Sequence, residues 1–453
     1  MMLRKGLPGL SAQIKDKLIQ QALERRLRQA GEPHSAHKPL VGVSTGAFNA
    51  DIPEEFYRFH LHPGYQQLRI MNDGAARLGV SSPFFKQHDG NAGATTRING
   101  REFINFGNYN YLGTSGDATV NAAAKAAIDQ YGTSVSGSRI ISGERPIHRQ
   151  LEVALAAAHG VEDAVTFVSG HATAVTTIGY LFGPNDLILH DALIHNCTML
   201  GAQLSGAKRL SFPHNDWAAL DTMLTEQRRH FERVLIVVEG IYSMDGDYPD
   251  LPKFIAIKQK HRAFLMVDEA HSFGVMGKNG LGIREHFHLQ GSDVDIWMGT
   301  LSKALAGCGG YIAGEVALVE HLKFMAPGFL YSVGMPPPVA AASLAALQLM
   351  QRHPERVRAL QSRGAYFLEK AKAAGIDTGT STGLAVVPAI TGSSLRAVRL
   401  IDALYKRGII AQPILYPGVP EKSARLRFFM SYLHTDEQIN HTIQVLAEEF
   451  DKV

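Results

Sequence analysis

Apolar positions along this chain recur in short blocks, each closed by polar or turn-forming residues. Phe264–Val267 runs into Asp268 and His271, and Val294–Met298 runs into Thr300, Ser302 and Lys303. Ala164–Val168, Leu187–Leu189 and Val234–Val238 have the same character. Runs of this length, rich in β-branched residues, predict strands buried on both faces. Between them lie segments with helical spacing, among them Ala118–Gln130, Ile147–His159 and Ala172–Leu181. The alternation predicts an α/β domain with a mainly parallel sheet. Pro336–Pro338 punctuates the chain, and an alanine/leucine helix pattern follows over Val339–Arg352 and on towards Ala374. Beyond it, strand patterns at Leu384–Ile390, Ile409–Gln412 and Leu426–Met430 alternate with helices near Leu395–Lys406 and Thr435–Glu449, predicting a smaller α+β domain.

The N-terminal part reads differently. Ser11–Ala30 has apolar residues near helical spacing among basic ones, and residues 1–40 hold eight Lys/Arg against three Asp/Glu. That predicts a basic amphipathic helix, packed on its own protein or serving as a dock for an acidic partner. Residues 31–60 read as a linker, and Gly64–Gly79 as a helix. Asn99–Gly100, flanked by Ile98 and Phe103–Phe106, signals a hairpin. The predicted organisation is an N-terminal extension over 1–100, a large domain over 101–338 and a small domain over 339–453. Composition narrows this further. With 453 residues, 45% apolar and 19% charged, the chain is an ordinary globular one. No apolar run reaches the roughly 18 residues of a membrane span, and no signal-peptide core is visible. Two cysteines and a net charge of +3 point to the cytoplasm and away from nucleic acid.

In open α/β sheets ligands bind at the C-terminal ends of strands, which singles out Lys303, Asp268 and His271. VDEAH alone would suit a nucleic-acid helicase, but that use requires an upstream phosphate loop, and the sequence has none. Lys303, flanked by hydroxyls and a Gly-rich run, suits imine chemistry beside a phosphate. A buried Asp268 needs a cationic partner, either a structural Arg or Lys or the pyridinium nitrogen of pyridoxal phosphate. His271 could bond the same cofactor's phenolic oxygen or be a satisfied loop histidine. Ser169–Gly170–His171 stands at a strand-to-helix junction, where free N–H groups suit a phosphate. His190 and His195 have the wrong separation for a helical metal pair, so no metal is expected. Arg425 and Arg427 share one face of a strand, as surface charges or as a carboxylate clamp.

Seven motifs then stand in order: NYNYLG, GTSVSGSRIISGERPIHRQLE, FVSGHATA, HDALIHNC, EGIYSMDGD, VDEAHSFGVMG and GTLSKALAGCGGYIAG. From about Asn105 onward the chain resembles the α-oxoamine synthases, a family of pyridoxal-phosphate enzymes. The resemblance implies a fold-type I, aspartate-aminotransferase-like transferase. It implies that Lys303 holds the cofactor as an imine, Asp268 pairs with the pyridine nitrogen, His271 meets the ring oxygen and His195 stacks on the ring. By the same resemblance Gly170, His171 and Thr300 bind the phosphate, although the family usually has an aromatic residue where His171 stands. Ser332 would reach the phosphate from a partner subunit, implying a homodimer. Glu239 and Ser243 match active-site positions, Arg427 the holder of the amino-acid carboxylate, and Asn110 and Tyr111 that pocket's lining. The implied reaction is the decarboxylative condensation of an α-amino acid with an acyl thioester of CoA or an acyl carrier protein. Another fold-type I activity, such as an aminotransferase, is the alternative.

Overall fold

The structure, a computed structural model, describes residues 52–77 and 82–453. The predicted basic helix Ser11–Ala30 lies outside the described residues. The chain forms two compact units, one through Lys86 and one from Gln87. In the first, the end of the predicted linker holds short 3₁₀ turns at Glu54–Phe56 and Phe59–Leu61, and the predicted helix spans Pro63–Arg77.

The second unit begins with the hairpin, β1 (Thr95–Ile98) and β2 (Arg101–Asn105), paired antiparallel with Ile98 opposite Arg101. Asn99 and Gly100 both take positive φ, 51° and 77°, as a two-residue hairpin turn requires. The main sheet follows: β3 (Asp163–Phe167), β4 (Leu187–Asp191), β5 (Lys208–Phe212), β6 (Val234–Glu239), β7 (Phe264–Asp268), β8 (Ile296–Thr300) and β9 (Gly310–Gly314). Their order is β3-β9-β8-β7-β6-β4-β5. The five strands from β8 to β5 are parallel, and β9 runs antiparallel to both β8 and β3.

The continuous apolar runs have a direct cause, since both faces of the sheet are covered. In β6, Val234, Ile236 and Val238 enter one apolar layer, while Leu235 and Val237 enter the other. Helices Gly170–Leu181, Asn196–Ser205 and Val316–Met325 cover the second layer, and Pro146–His159, Leu251–His261 and Pro337–Arg352 cover the first. The chain places β5 on one side of β4 and β6, β7 and β8 on the other. The turns that leave β4, β6, β7 and β8 therefore open on one edge beside that reversal, where ligand crevices form.

Two strand predictions need correction, and two strands were not expected. The strand expected from Val294 begins at Ile296, because Gly291–Asp293 forms a 3₁₀ turn and Asp295 is held by the Leu265 N–H, 2.7 Å, and by Lys258, 2.9 Å. The strand expected over Ile409–Gln412 divides. β11 (Ile409–Ile410) pairs parallel with β2, whereas β12 (Gln412–Ile414) joins β13 (Arg425–Phe429) and β10 (Val386–Ile390) in a separate three-stranded sheet. β5 and β9 were not foreseen as strands. The helices Ser394–Lys406 and Asp436–Phe450 match their predictions, and Pro354 starts a second helix to Ala373 instead of continuing the first. Among the described residues no helix is long and apolar enough to cross a membrane.

Candidate active site

Four parallel strands deliver the site. Asp268 ends β7 and Glu239 ends β6, both carboxylates buried; Thr300 ends β8, and the turn after β4 leads to His195. With Gly170, His171, His271 and Lys303, these residues line one cleft of about 240 Å³.

The half-buried amine of Lys303 has no ion pair within 4.0 Å among the described residues; its Nζ stands 5.7 Å from the centre of the Tyr109 ring. Burial lowers its pKa to about 8, against the opposing pull of Asp268 and Glu239. An amine in that range stays mostly protonated at neutral pH but keeps roughly a tenth of its population as free base, far more than an ordinary lysine. Burial likewise raises the Asp268 carboxyl above the ordinary range, with Lys303 opposing. One Asp268 oxygen accepts the Ala270 N–H at 2.9 Å, and the other has no protein donor among the described residues. Burial and the neighbouring Asp268 raise Glu239, which braces the site by accepting the backbone N–H groups of His195, 2.7 Å, and Ser243, 3.3 Å.

His195 caps its helix, its Nδ1 accepting the Cys197 N–H at 3.3 Å and lying 3.0 Å from the Cys197 Sγ. Burial lowers its pKa, and protonated Nδ1 could not serve as that cap. His271 is fixed by Tyr111 Oη at Nδ1, 2.7 Å, and lies parallel to the Phe429 ring at 6.0 Å.

The start of Gly170–Leu181 forms an anion cradle. Ser169 caps the Ala172 N–H, while the N–H groups of Gly170 and His171 have no protein acceptor among the described residues. A Cβ on Gly170 would lie 2.8 Å from Thr300 Oγ1, so only glycine lets the helix start approach that hydroxyl. Ser302 lies on the same cleft. Two free N–H groups at a positive helix end, with hydroxyls alongside, suit a phosphate.

The family description Aminotransferase class I and II matches residues 101–446. The chain belongs to that family. It is 40% identical over 351 residues to the 8-amino-7-oxononanoate synthase of Symbiobacterium thermophilum, covering 78% of this chain and 89% of that protein. The serine palmitoyltransferase of Sphingomonas wittichii superposes with a TM-score of 0.82 at 28% identity, covering 86% of this chain and 98% of that one. A further serine palmitoyltransferase structure with pyridoxal phosphate superposes with the same TM-score, 0.82, at 27% identity, covering 86% and 98%. The chain is thus a fold-type I, pyridoxal-phosphate-dependent acyltransferase of the α-oxoamine synthase type.

The donor set of this α-oxoamine synthase fits that cofactor. The cradle offers free N–H groups for a phosphate, Asp268 has an unused oxygen for a ring N–H, and Lys303 offers an amine for an aldehyde.

Other predicted residues stand around the cleft rather than in it. Arg427 donates through Nη1 to the Ser243 carbonyl and through Nη2 to Gln412, each 2.7 Å, while its buried Nε has no acceptor among the described residues. Its guanidinium lies over Phe429 at 4.7 Å. The Asn110 side chain is consumed locally, donating to the carbonyls of Ala92, 2.6 Å, and Ser115, 3.0 Å. Ser332 lines a second cleft, with Arg139, Thr166 and Phe329, that shares no residue with the first.

Several participants escaped sequence reasoning. Gln412 donates to the Gly107 carbonyl, 2.9 Å, and the Tyr109 hydroxyl, 3.2 Å, while accepting from Arg427. Cys197 and Cys308 also line the cleft. Tyr109 lay within the amide- and phenol-rich NYNYLG, the one available signal.

Proposed function

We propose that this chain joins the Cα of an α-amino acid to the acyl carbon of a thioester. The amino acid's carboxyl leaves as CO₂, the thiol is freed, and an α-amino ketone is the product. One observation carries the reading: a single cleft unites an amine with a pKa of about 8, a buried carboxylate and an anion cradle, with a buried arginine beside it. Bound there, pyridoxal phosphate supplies a sink for the electron pair left at the substrate Cα.

The chain's own residues do the rest. Gly170, His171, Thr300 and Ser302 hold the phosphate, and Asp268 keeps the ring nitrogen protonated. His195 covers the ring, and His271, set by Tyr111, meets its oxygen. Lys303 anchors the cofactor and, when released, carries the Cα proton. Arg427, beside the cleft, would hold the substrate carboxylate through its guanidinium and so orient the bond to be broken.

The acyl donor is a thioester of CoA or of an acyl carrier protein. Ser332, apart from this cleft, serves the partner's site in a cytoplasmic homodimer. Residues 101–338 form the cofactor domain and 339–453 the small domain, preceded by the extension 1–100.

The test offers holoenzyme glycine, L-alanine or L-serine, with and without acyl-CoA. CO₂ and free thiol appear together, one for one, only when both substrates are present. Formation of a 2-oxo acid without any thioester would identify an aminotransferase and overturn the reading.

A further inference from the structure

The motif Pro213–Asp216 (PHND) takes no part in the cleft, yet its histidine has a demanding environment. His214 Nδ1 lies 2.8 Å from Asp191 Oδ1 and Nε2 lies 2.9 Å from Asp247 Oδ2. Both carboxylates are buried, at 0% and 7% exposure. With an acceptor at each nitrogen, the ring carries two protons and a positive charge. Burial alone would lower its pKa, but the two carboxylates raise it to about 10. Tyr242 packs edge-on against the ring at 4.5 Å.

Each carboxylate belongs to a segment that ends in the active site. Asp191 closes β4 and shapes the turn behind it, its Oδ1 accepting the Leu193 N–H at 2.8 Å and its Oδ2 the Asn215 N–H at 2.7 Å. The next residue but one after that turn's Leu193 is His195. Asp247 closes the loop 241–247, its carbonyl accepting the Tyr242 N–H at 2.8 Å. Within that loop the Ser243 carbonyl receives Arg427. Asp247 Oδ2 also accepts the Thr380 hydroxyl, 2.7 Å, from the segment leading to β10.

We propose that His214 is a positioning residue, an imidazolium clamp that sets the His195 turn against the Ser243 loop and thereby fixes where Arg427 presents its guanidinium. A charge between two buried carboxylates is a stiff link, because displacing it leaves both acids uncompensated in the interior. The cleft therefore receives its ring-covering histidine and its carboxylate anchor in a fixed relation. This rests on the roles assigned above to His195 and Arg427.

The experiment measures amino-acid binding to holoenzyme without any thioester, following the cofactor's visible absorbance for glycine, L-alanine and L-serine in turn. His214→Asn removes the charge, and Thr380→Val removes only the outer hydroxyl. The clamp predicts a rise in Kd of tenfold or more for His214→Asn with cofactor retained, and a smaller rise for Thr380→Val. An unchanged Kd in folded His214→Asn overturns it. If that variant misfolds or sheds cofactor, Thr380→Val decides, and an unchanged Kd there overturns the clamp. Wild-type enzyme that binds an amino acid but never releases CO₂ with a thioester overturns the proposed reaction, leaving this comparison readable.

Discussion

Two buried clusters of charge in this molecule respond to burial in opposite ways. Around Arg139 every charge has a partner. Its guanidinium meets Glu144 and Glu152, each at 2.5 Å, and Lys323 meets Glu152 at 3.1 Å. Burial alone would disfavour the charges of Arg139 and Glu152, yet the pairing wins, holding the Glu152 carboxyl below its ordinary range and the guanidinium above its own. In the cleft the same residue types are brought near one another without pairing. Burial wins there, lowering Lys303 and raising Asp268 and Glu239. The first arrangement is a finished structural link. The second leaves an amine, a carboxylate oxygen and helix N–H groups unsatisfied until a ligand supplies their partners, which is how a fold reserves a site.

Removing the central group of each cluster breaks the comparison most sharply. Lys303→Ala should cost at least about 10²–10⁴-fold in turnover and abolish the visible band of the bound cofactor, while the melting temperature stays near wild type. A variant retaining full activity and the band would refute the role of Lys303. Glu152→Gln should do the reverse. Arg139 would keep only Glu144 and Lys323 would lose its partner, so stability should fall by up to about 3–5 kcal/mol, read in urea unfolding, with turnover per folded molecule unchanged. A small loss of stability there would show that the Arg139 cluster is not a finished link.

Arg425 and Arg427 repeat the contrast within one strand. Arg425 is paired with Asp245 at 2.5 Å and bonded to the Met244 carbonyl at 3.0 Å. Arg427 makes no carboxylate pair and keeps Nε free of acceptors among the described residues. Arg427→Lys, losing the bidentate fork, should raise KM for the amino acid by roughly 10–100-fold, from about 1.5–3 kcal/mol of charged hydrogen bonding. Arg425→Lys should lower stability and leave that KM alone. Equal KM effects from both substitutions would contradict the assignment.

That pair also marks how far the sequence could be read. Alternation placed both arginines on one face of a strand, but only the fold brings Asp245 to one and Gln412 to the other. Lys303, Asp268 and Thr300 were legible because apolar runs end in them, and strand ends are where α/β sheets open. Gly170 was legible as a turn, although its closeness to Thr300 was not. β9 was hidden by its glycines. A Cβ on Gly310 would lie 2.7 Å from the Gly170 Cα, so packing at the cradle excludes the β-branched residues that would have announced a strand. β5, KRLSF, pairs on one side only and is largely solvent-facing, so it carries no apolar run. Asn110 shows the converse, since its amide sits in a recognisable motif yet is used up by Ala92 and Ser115. Motif letters report which groups are available; the long-range contacts decide which remain free.

The smallest effect sharpens the comparison most cleanly, because it needs no substrate. In the cofactor-free chain Lys303 carries its proton at a cost, its folded pKa of about 8 lying below the ordinary 10.5. Between those values the unfolded chain binds more protons than the folded one, so this group makes stability rise with pH across the window. Below about pH 8 the penalty is constant and complete. Lys303→Met keeps the side-chain length and removes the charge. It should therefore raise the melting temperature of cofactor-free protein by a few degrees at pH 7, and the gain should shrink as pH climbs from about 8 towards 10.5. Glu152, with its folded pKa lowered, also makes stability rise with pH, but its charge is a gain rather than a penalty: the contribution is full above its unfolded value of 4.5 and fades as pH falls through the folded one. A Lys303→Met gain that does not vary with pH would mean that Lys303 is not held against its charge, and the distinction between reserved and finished charges would fail at its centre.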